Sequence, residues 1–313
     1  MQFIRGLPHL PPTFSECVAT IGSFDGVHLG HQAVIKQLLE QARTLSLPSL
    51  VMSFEPQPKD YFQPDQCLPR LTRLREKIQH LHTTGVDAFF LLRFNQALAS
   101  LTAEAFVTQI LVRGLGVRHV VIGDDFCFGK DRTGNFECLT TLGKQFGFGV
   151  SRTHSHQING TRVSSTAIRQ ALGAGQLDAA AQLLGRPYSL SGRVAPGQQK
   201  GRTIGFPTAN LPLLRQTPAL KGVFAVEMLG LGKQALPGVA NIGKRPTVTG
   251  DGQWLLEVHL FDFNQDIYGR HVHVRFLHKL REEKRFDSFQ ALKKQIEHDA
   301  IAARQFFNGK DDG

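Results

Sequence analysis

The sequence predicts two domains: an α/β domain with a parallel Rossmann-like sheet, then an antiparallel β-barrel with a terminal helix. The chain has 313 residues, about twice the length of a typical domain. In its first half, apolar strands alternate with amphipathic helices, which is typical of a parallel sheet covered on both faces. After residue 186, Gly and Pro separate short alternating segments, and one amphipathic helix follows. We therefore expect domains at residues 1–185 and 186–313.

The strands of the first domain are expected where short apolar runs occur, at residues 18–21, 50–54, 88–92 and 119–122. Thr72 and Thr102 each precede an amphipathic stretch, so both are expected to cap helices. A tight hairpin is expected at residues 158–161. In parallel sheets, ligands bind beyond the carboxyl ends of the strands, so the loops that follow these strands are the first candidates for a site.

Composition excludes several classes of protein. Hydrophobic residues make up 41% and charged residues 20%, as in ordinary globular proteins. No apolar run approaches the roughly 18 residues that span a bilayer, and no signal-peptide hydrophobic region follows the N-terminus. We expect a cytoplasmic protein without a membrane partner. The four cysteines form no Cys-x-x-Cys pair, so neither a disulfide framework nor a zinc knuckle is indicated.

The net charge of +10 makes nucleic acid the first partner to weigh. The basic residues are divided evenly, however, with eighteen up to and including Arg186 and eighteen after it. Neither half has a basic tail or the interleaved aromatic residues of a single-strand-binding groove. Small phosphorylated ligands explain the charge at least as well, and we expect no nucleic-acid partner.

A His-x-Gly-His pattern at His28, Gly30 and His31 follows the strand at 18–21 and enters a helix. Two imidazoles three residues apart at a helix N-terminus suit a phosphate group, and Gly30 leaves room for a ligand at the backbone. The alternative is chance, because a chain with 13 His and 31 Gly shows this pattern in about one case in twenty. The position between strand and helix favours the functional interpretation.

A second segment of this kind contains three hydroxyl residues, with an arginine one turn later: Ser164, Ser165, Thr166 and Arg169. Taken alone, such hydroxyls are more often an ordinary helix cap. Two loops at strand ends are rich in proline and aromatic residues and could form walls for a flat ring or be simple turns. Their candidate residues are Phe54, Pro56, Pro58, Asp125, Phe126 and Phe128.

In the second half, the densest motif spans residues 197–210 and ends in the Thr-x-Asn pair Thr208 and Asn210. A Gly-rich basic loop with such oxygen ligands suits a triphosphate with Mg²⁺. It is not a Walker A loop, and a near miss at 238–245 has Arg where that motif needs Ser or Thr. Glu257 shares one face of an expected strand with His259. It is a candidate general base, although a solvated strand face is the commoner explanation.

Together these motifs resemble bacterial bifunctional riboflavin kinase/FAD synthetases. The resemblance covers roughly residues 14–300. It departs from the family at Ser23, where many members have Asn, and at Phe224, where many have Tyr. The segments that carry it are 22–32, 54–58, 123–129 and 164–169 in the first half, and 201–210, 238–247, 257–262, 266–269 and 281–286 in the second.

For the first domain, the resemblance implies a nucleotidyltransferase that adenylylates FMN to FAD and releases pyrophosphate. His28 and His31 would be its catalytic residues, at the α-phosphate of ATP. The implied ATP-binding residues are Gly22, Phe24, Asp25, Gly26, His28, His31, Ser164, Ser165, Thr166 and Arg169. The implied flavin-binding residues are the six aromatic, proline and acidic residues of the two strand-end loops.

For the second domain, the resemblance implies a riboflavin kinase. Glu257 would deprotonate the riboflavin 5′-hydroxyl, and Thr208 and Asn210 would hold Mg²⁺ as the cofactor. The implied ATP-binding residues are Gly201, Arg202, Thr203, Gly205, Pro207, Thr208 and Asn210.

Other interpretations remain open at this point. Only one module could be active while the other binds flavin, or the chain could sense nucleotides without catalysis. A nucleic-acid-binding protein would fit the charge but none of the motifs. The sequence leaves the oligomeric state undecided between a monomer and a weak oligomer.

Overall fold

A computed structural model describes residues 1–11, 14–196, 206–213, 217–245 and 253–311. Contacts divide the chain into two compact units. The first comprises Met1–Leu68 and Thr72–Ser164, and the second comprises Pro69–Leu71 and Ser165–Gly313. The division at residues 185 and 186 that the sequence predicts stays a prediction.

The first unit is built on a six-stranded parallel sheet with the strand order β1-β4-β3-β2-β5-β6. Its strands are β1 (Gln2–Arg5), β2 (Cys17–Ile21), β3 (Ser49–Glu55), β4 (Ala88–Arg93), β5 (Val117–Gly123) and β6 (Gly149–Thr153). Consecutive residues of β3, Leu50 and Val51, belong to different apolar clusters, so both faces of the sheet are covered. The predicted Rossmann-like sheet is confirmed.

The helices of this unit are α1 (Leu29–Leu45), α2 (Pro58–Phe62), α3 (Leu74–His82), α4 (Gln96–Ala99), α5 (Ala103–Phe106) and α6 (Phe136–Phe146), with a π-helical turn at Val107–Val112. Thr102 caps α5 as predicted, accepting a hydrogen bond from the Ala105 N–H at 3.1 Å. The prediction that Thr72 caps a helix is wrong. Arg73, with φ and ψ of −72° and 162°, is the N-cap of α3, and its N–H donates to the Glu76 carboxylate at 2.7 Å.

Strand β2 lies at the point where the strand order reverses, since the chain places β3 on one side of it and β5 on the other. In such sheets the crevice at this point is the usual ligand site, and the loop with the two histidines begins there. The predicted hairpin is also present, formed by β7 (Gln157–Ile158) and β8 (Thr161–Arg162). Asn159 and Gly160 connect them with φ values of 50° and 77°, as a type I′ turn requires.

The second unit contains α7 (Ser165–Gly173) and α8 (Leu177–Leu184), followed by an antiparallel sheet and α9 (Phe289–Asp311). Its strands are β9 (Ser189–Arg193), β10 (Ala209–Pro212), β11 (Gly222–Leu229), β12 (Leu236–Arg245), β13 (Gln253–Leu260) and β14 (His271–Arg281). The order is β10-β13-β12-β11-β14-β9. A bridge between Ala195 and Asn210 joins the two edges, with N···O 2.8 Å, so the predicted barrel with a terminal helix is confirmed.

Helix α9 covers one face of this sheet. Arg281 on β14 makes a two-pronged ion pair with the buried Asp299 of α9, with N···O distances of 2.8 and 2.7 Å. Ala300 and Ala303 belong to the same buried apolar cluster as Val239 of β12. Across the described ranges, no helix is long and apolar enough to cross a membrane.

Candidate active sites

The imidazoles of His28 and His31 meet at the start of α1. His28 is the N-cap of this helix, and His31 lies in its first turn. The His28 Nδ1 accepts a hydrogen bond from the His31 N–H at 3.2 Å, and the two rings stack with centroids 3.6 Å apart. Because Nδ1 is an acceptor here, the proton of a neutral His28 ring is on Nε2. The predicted pair of imidazoles beside a helix N-terminus is therefore present.

The loop that carries His28 is held from the protein interior by a buried lysine. Lys77, on α3, is 1% exposed, and its ammonium group donates to the carbonyl oxygen of Ser23 at 2.6 Å. The Ser53 hydroxyl, at the end of β3, donates to the same oxygen at 3.3 Å. Burying an ammonium group is costly unless it is well paired, so these contacts restrict the position of the loop. No sequence pattern indicated Lys77.

A second set of contacts fixes the middle of the same loop. One carboxylate oxygen of the buried Asp25 accepts from the N–H and the hydroxyl of Thr72, at 3.0 and 3.2 Å. The Thr72 hydroxyl oxygen in turn accepts from the Gly26 N–H at 3.0 Å. These bonds help to hold Phe24 and Val27 at φ values of 46° and 41°, a region that non-glycine residues adopt at a cost of about 1–2 kcal/mol each.

Several residues that are predicted to contact the nucleotide instead pack within the loop itself. Phe24 is 2% exposed, and its ring lies against His31 with centroids 5.0 Å apart. The expected approach of a ligand to the Gly30 backbone stays a prediction. A Cβ at Gly30 would lie 3.2 Å from the His28 ring and 3.3 Å from the Val163 carbonyl oxygen. Its missing side chain makes room for the imidazole. Direct contacts of Gly22, Phe24, Asp25 and Gly26 with ATP stay predictions.

The hydroxyl segment lies at the beginning of α7. Ser165 and Thr166 are in the first turn of that helix, and Ser164 immediately precedes it. The guanidinium Nε of Arg169 donates to the carbonyl oxygen of Pro69 at 2.6 Å. Arg169 therefore has a structural partner within its own unit. The role of this segment in holding phosphates stays a prediction.

The proline and aromatic loops border a cavity of about 770 Å³ at the carboxyl end of the first unit's sheet. This volume is within the usual range for small-molecule sites. Four of the predicted flavin residues line it: Phe54, Pro58, Phe126 and Phe128. The lining drawn from the described residues does not include Pro56 or Asp125, and the Asp125 carboxylate instead pairs with Arg162 at 3.2 Å.

Sequence reasoning missed other residues of this cavity. Phe62 is 63% exposed, and its ring lies 5.7 Å from that of Phe94. Phe106 also contributes to the lining, together with the cations Lys59 and Arg132. Phe62 could have been predicted from the sequence, because it lies one helical turn after Pro58. Phe94 and Phe106 come from other parts of the chain and carry no local signal.

In the second unit, strand pairing places Glu257 between two asparagines. Glu257 of β13 is opposite Asn210 of β10 on one side and Asn241 of β12 on the other. Directly paired residues share a face of the sheet, so the three side chains form a row. Asn210 Nδ2 donates to the Thr208 carbonyl oxygen at 3.3 Å, and its Oδ1 is buried with no hydrogen-bond partner among the residues described. An unpartnered amide oxygen of this kind suits a hard cation such as Mg²⁺.

Glu257 also lines a cavity of about 460 Å³ between this face and α9. Thr208 and His259 line the same space. His259 Nδ1 lies 2.9 Å from the Pro207 carbonyl oxygen. Burial lowers the pKa of the His259 imidazole, and the bond to this carbonyl acts in the opposite direction. Glu257 is half-buried at the edge of this cavity, and its role as a general base stays a prediction.

A smaller cavity of about 140 Å³ shares Thr208 with the 460 Å³ cavity and is also lined by Asn210. Its remaining lining includes the segment 263–268, which follows β13. Residues 266–269 of this segment are among those that resemble the family, but the resemblance implies no role for them. The predicted residues Gly201, Arg202, Thr203 and Gly205 lie outside the described residues. Within the described part of the chain, no group of three or more His, Cys, Asp or Glu side chains could hold a metal ion.

Comparison with known proteins also distinguishes two regions of the chain. A family model for FAD synthetase matches residues 10–167, and one for riboflavin kinase matches residues 184–307. A curated bifunctional riboflavin kinase/FMN adenylyltransferase from Escherichia coli (strain K12) is 51% identical over 308 residues, covering 98% of each chain. The chain belongs to this bifunctional family.

A second curated member of the bifunctional riboflavin kinase/FMN adenylyltransferase family, from Haemophilus influenzae, is 49% identical over 308 residues, covering 98% of this chain and 100% of that protein. A crystal structure described as a macrolide-efflux protein from Streptococcus pneumoniae has a TM-score of 0.82 and 34% identity. It covers 96% of this chain and 98% of that one. This similarity supports the fold, and the family assignment rests on the curated members and the two family models.

Proposed function

We propose that the chain carries out two successive reactions of flavin cofactor synthesis. Riboflavin and ATP give FMN and ADP in the second half of the chain, and FMN and ATP give FAD and pyrophosphate in the first. The observation that carries the proposal is that each family model coincides with a cavity and its own set of reactive side chains. We assign residues 1–185 to adenylyl transfer and 186–313 to phosphoryl transfer.

In adenylyl transfer, an oxygen of the FMN phosphate attacks the α-phosphorus of ATP. A new P–O bond forms, the bond from the α-phosphorus to the β-phosphate oxygen breaks, and pyrophosphate leaves. The nucleophile is already an anion, so stabilisation of charge is needed more than a base. His28 and His31 supply that stabilisation at the helix N-terminus, with Arg169 and the Ser164–Ser165–Thr166 hydroxyls holding the phosphates that depart. The aromatic cavity takes the isoalloxazine ring.

In phosphoryl transfer, the nucleophile is the 5′-hydroxyl of riboflavin, a neutral alcohol. Glu257 accepts its proton as the oxygen attacks the γ-phosphorus, and ADP leaves. Thr208 and the unpartnered Oδ1 of Asn210 would hold Mg²⁺, which neutralises charge on the ATP phosphates when bound. Pro207, with the loop residues that precede it, completes the ATP site. The use of ATP and flavins favours a cytoplasmic location, and the basic charge serves phosphorylated substrates.

The direct test is chromatographic separation of flavins after purified protein is incubated with riboflavin, ATP and MgCl₂. We expect FMN first and FAD later. FMN alone would mean that the adenylyltransferase half is inactive, which is the main alternative. If riboflavin is unchanged, supplying FMN separates an inactive kinase from a protein that makes no flavin product. Repeating the incubation with EDTA tests the metal, and undiminished FMN formation would contradict the Mg²⁺ site.

A further inference from the structure

We infer that His259 is a positioning residue for the kinase reaction. Its imidazole holds residues 207–210 in the conformation that presents Thr208 and Asn210 to the metal and ATP. This inference rests on the proposed kinase function.

The β10–β13 pairing does not extend to residues 207 and 208. Pairing between β10 and β13 begins at Ala209, opposite Val258, so Pro207 and Thr208 lie before the first ladder pair. The next residue of β13 is His259, and its ring Nδ1 meets the Pro207 carbonyl oxygen at 2.9 Å. A carbonyl oxygen only accepts hydrogen bonds, so Nδ1 carries the hydrogen and donates it. The His259 side chain thus adds one hydrogen bond between the two strands, just beyond the last backbone pair of β10 and β13.

The His259 ring is itself held in place by aromatic neighbours. Phe206 lies edge-on to it with centroids 5.0 Å apart, and Phe261, immediately after the end of β13, lies 5.9 Å away. A ring fixed on two sides loses little further freedom in making the hydrogen bond. Partial burial also strengthens the bond relative to one in water.

Two consecutive carbonyl groups are consequently occupied by side chains. The Pro207 carbonyl accepts from His259, and the Thr208 carbonyl accepts from Asn210 Nδ2 at 3.3 Å. With its Nδ2 turned to the Thr208 carbonyl, Asn210 keeps its buried Oδ1 as the unpartnered acceptor. The orientation of the two proposed metal ligands therefore depends on the local backbone that His259 fixes. His259 differs in this from Glu257, two residues earlier, which we expect to touch the substrate hydroxyl.

Three variants at this position separate the hydrogen bond from the size of the side chain. In His259→Asn the amide nitrogen takes nearly the place of Nδ1, whereas in His259→Gln it takes nearly the place of Nε2. His259→Leu removes the donor. For the kinase reaction we expect the KM for MgATP to rise about tenfold in the Leu and Gln variants and less than about threefold in the Asn variant. The kcat at saturating MgATP should change less than the KM.

Controls are available in the same protein. FMN adenylylation by each variant should be unchanged, and His278→Leu, which removes an exposed histidine stacked on Phe306, should leave the kinase KM unchanged. The inference is wrong if the Asn variant is as impaired as the Gln variant, or if the Leu variant behaves as the wild type. The Asn and Gln pair keeps the test decisive if the Leu variant fails to fold. A wild-type protein that forms no FMN would instead overturn the proposed kinase function.

Discussion

The two proposed ATP sites handle phosphate with different chemical groups. The first places the stacked imidazoles of His28 and His31 at the N-terminus of α1. The second places Glu257 in a row with Asn210 and Asn241 on one face of a barrel. The difference follows from the nucleophile. A phosphate anion needs positive or polar groups around the reacting phosphorus, whereas an alcohol needs a carboxylate to take its proton.

The sites also differ in what holds them. The histidine loop is fixed from the interior by the buried side chains of Asp25, Thr72 and Lys77. The Thr208 segment is fixed by side chains of two neighbouring strand ends, the ring of His259 and the amide of Asn210. A loop on an α/β sheet has a helix and a strand behind it to supply such anchors. The end of a strand in a small barrel lies mainly against the neighbouring strand, so the side chains that hold it come from that strand.

The largest expected effect is on the kinase reaction in Glu257→Gln. Without a base, riboflavin phosphorylation should fall about 10³-fold, while FMN adenylylation continues at the wild-type rate. Flavin chromatography with riboflavin or FMN as substrate measures both. Glu227→Gln, a carboxylate on β11 that pairs with Arg275 at 3.8 Å, is the matched control and should retain both reactions. A Glu257→Gln enzyme that still phosphorylates riboflavin normally would remove the chemical distinction between the sites.

The reciprocal change is His28→Ala. It removes one imidazole and the cap of α1, so FMN adenylylation should fall about 10²-fold while riboflavin phosphorylation is retained. Incubation with riboflavin, ATP and MgCl₂ should then accumulate FMN. His9→Ala, an exposed histidine in the same unit, should leave FAD formation unaffected. Normal FAD yield from the His28 variant would exclude this residue from the reaction.

A smaller effect is expected from Lys77→Met, which tests the interior anchor. Loss of the ammonium bond to the Ser23 carbonyl should lower kcat/KM for ATP in adenylylation about tenfold. FMN affinity should persist, because Lys77 is outside the lining of the aromatic cavity. Lys144→Met, an exposed lysine on α6, is the control. Equal losses of ATP and FMN affinity in the Lys77 variant would indicate general unfolding of the unit instead of a displaced loop.

The smallest effect concerns the flavin cavity. Cys127 is exposed and lines this cavity, whereas the exposed Cys67 is outside its lining. FMN at twice its dissociation constant should slow alkylation of Cys127 about threefold and leave that of Cys67 unchanged. Burial raises the pKa of the Cys17 thiol to about 12, so that residue should stay unmodified. Peptide mass spectrometry gives all three rates, and equal protection of both exposed cysteines would place the flavin elsewhere.

Sequence patterns predicted the features that depend on neighbouring residues. The alternation of strand and helix, the Asn159–Gly160 turn and the Thr102 cap each follow from side chains a few positions apart. The alternating faces of β13, with Leu256 buried and Glu257 turned to the cavity, follow from the period of two in a strand. The activity was predicted from the family motifs, because their order along the chain is specific to that family.

The failed prediction of a Thr72 cap has a physical cause. Thr72 precedes an amphipathic stretch as a cap would, yet its hydroxyl donates to Asp25, 47 positions earlier. A contact made by folding competes with the local signal and replaces it.

By itself, then, the sequence determined the two fold classes and the residue types available for each reaction, since periodicity and motif spacing are local properties. Tertiary structure alone decided which distant groups hold those residues. Lys77 reaches Ser23 across 54 positions, and His259 reaches Pro207 across 52. Such pairs form only when strands and helices have packed, because the free energy that holds them comes from burial and from a partner that no local pattern specifies.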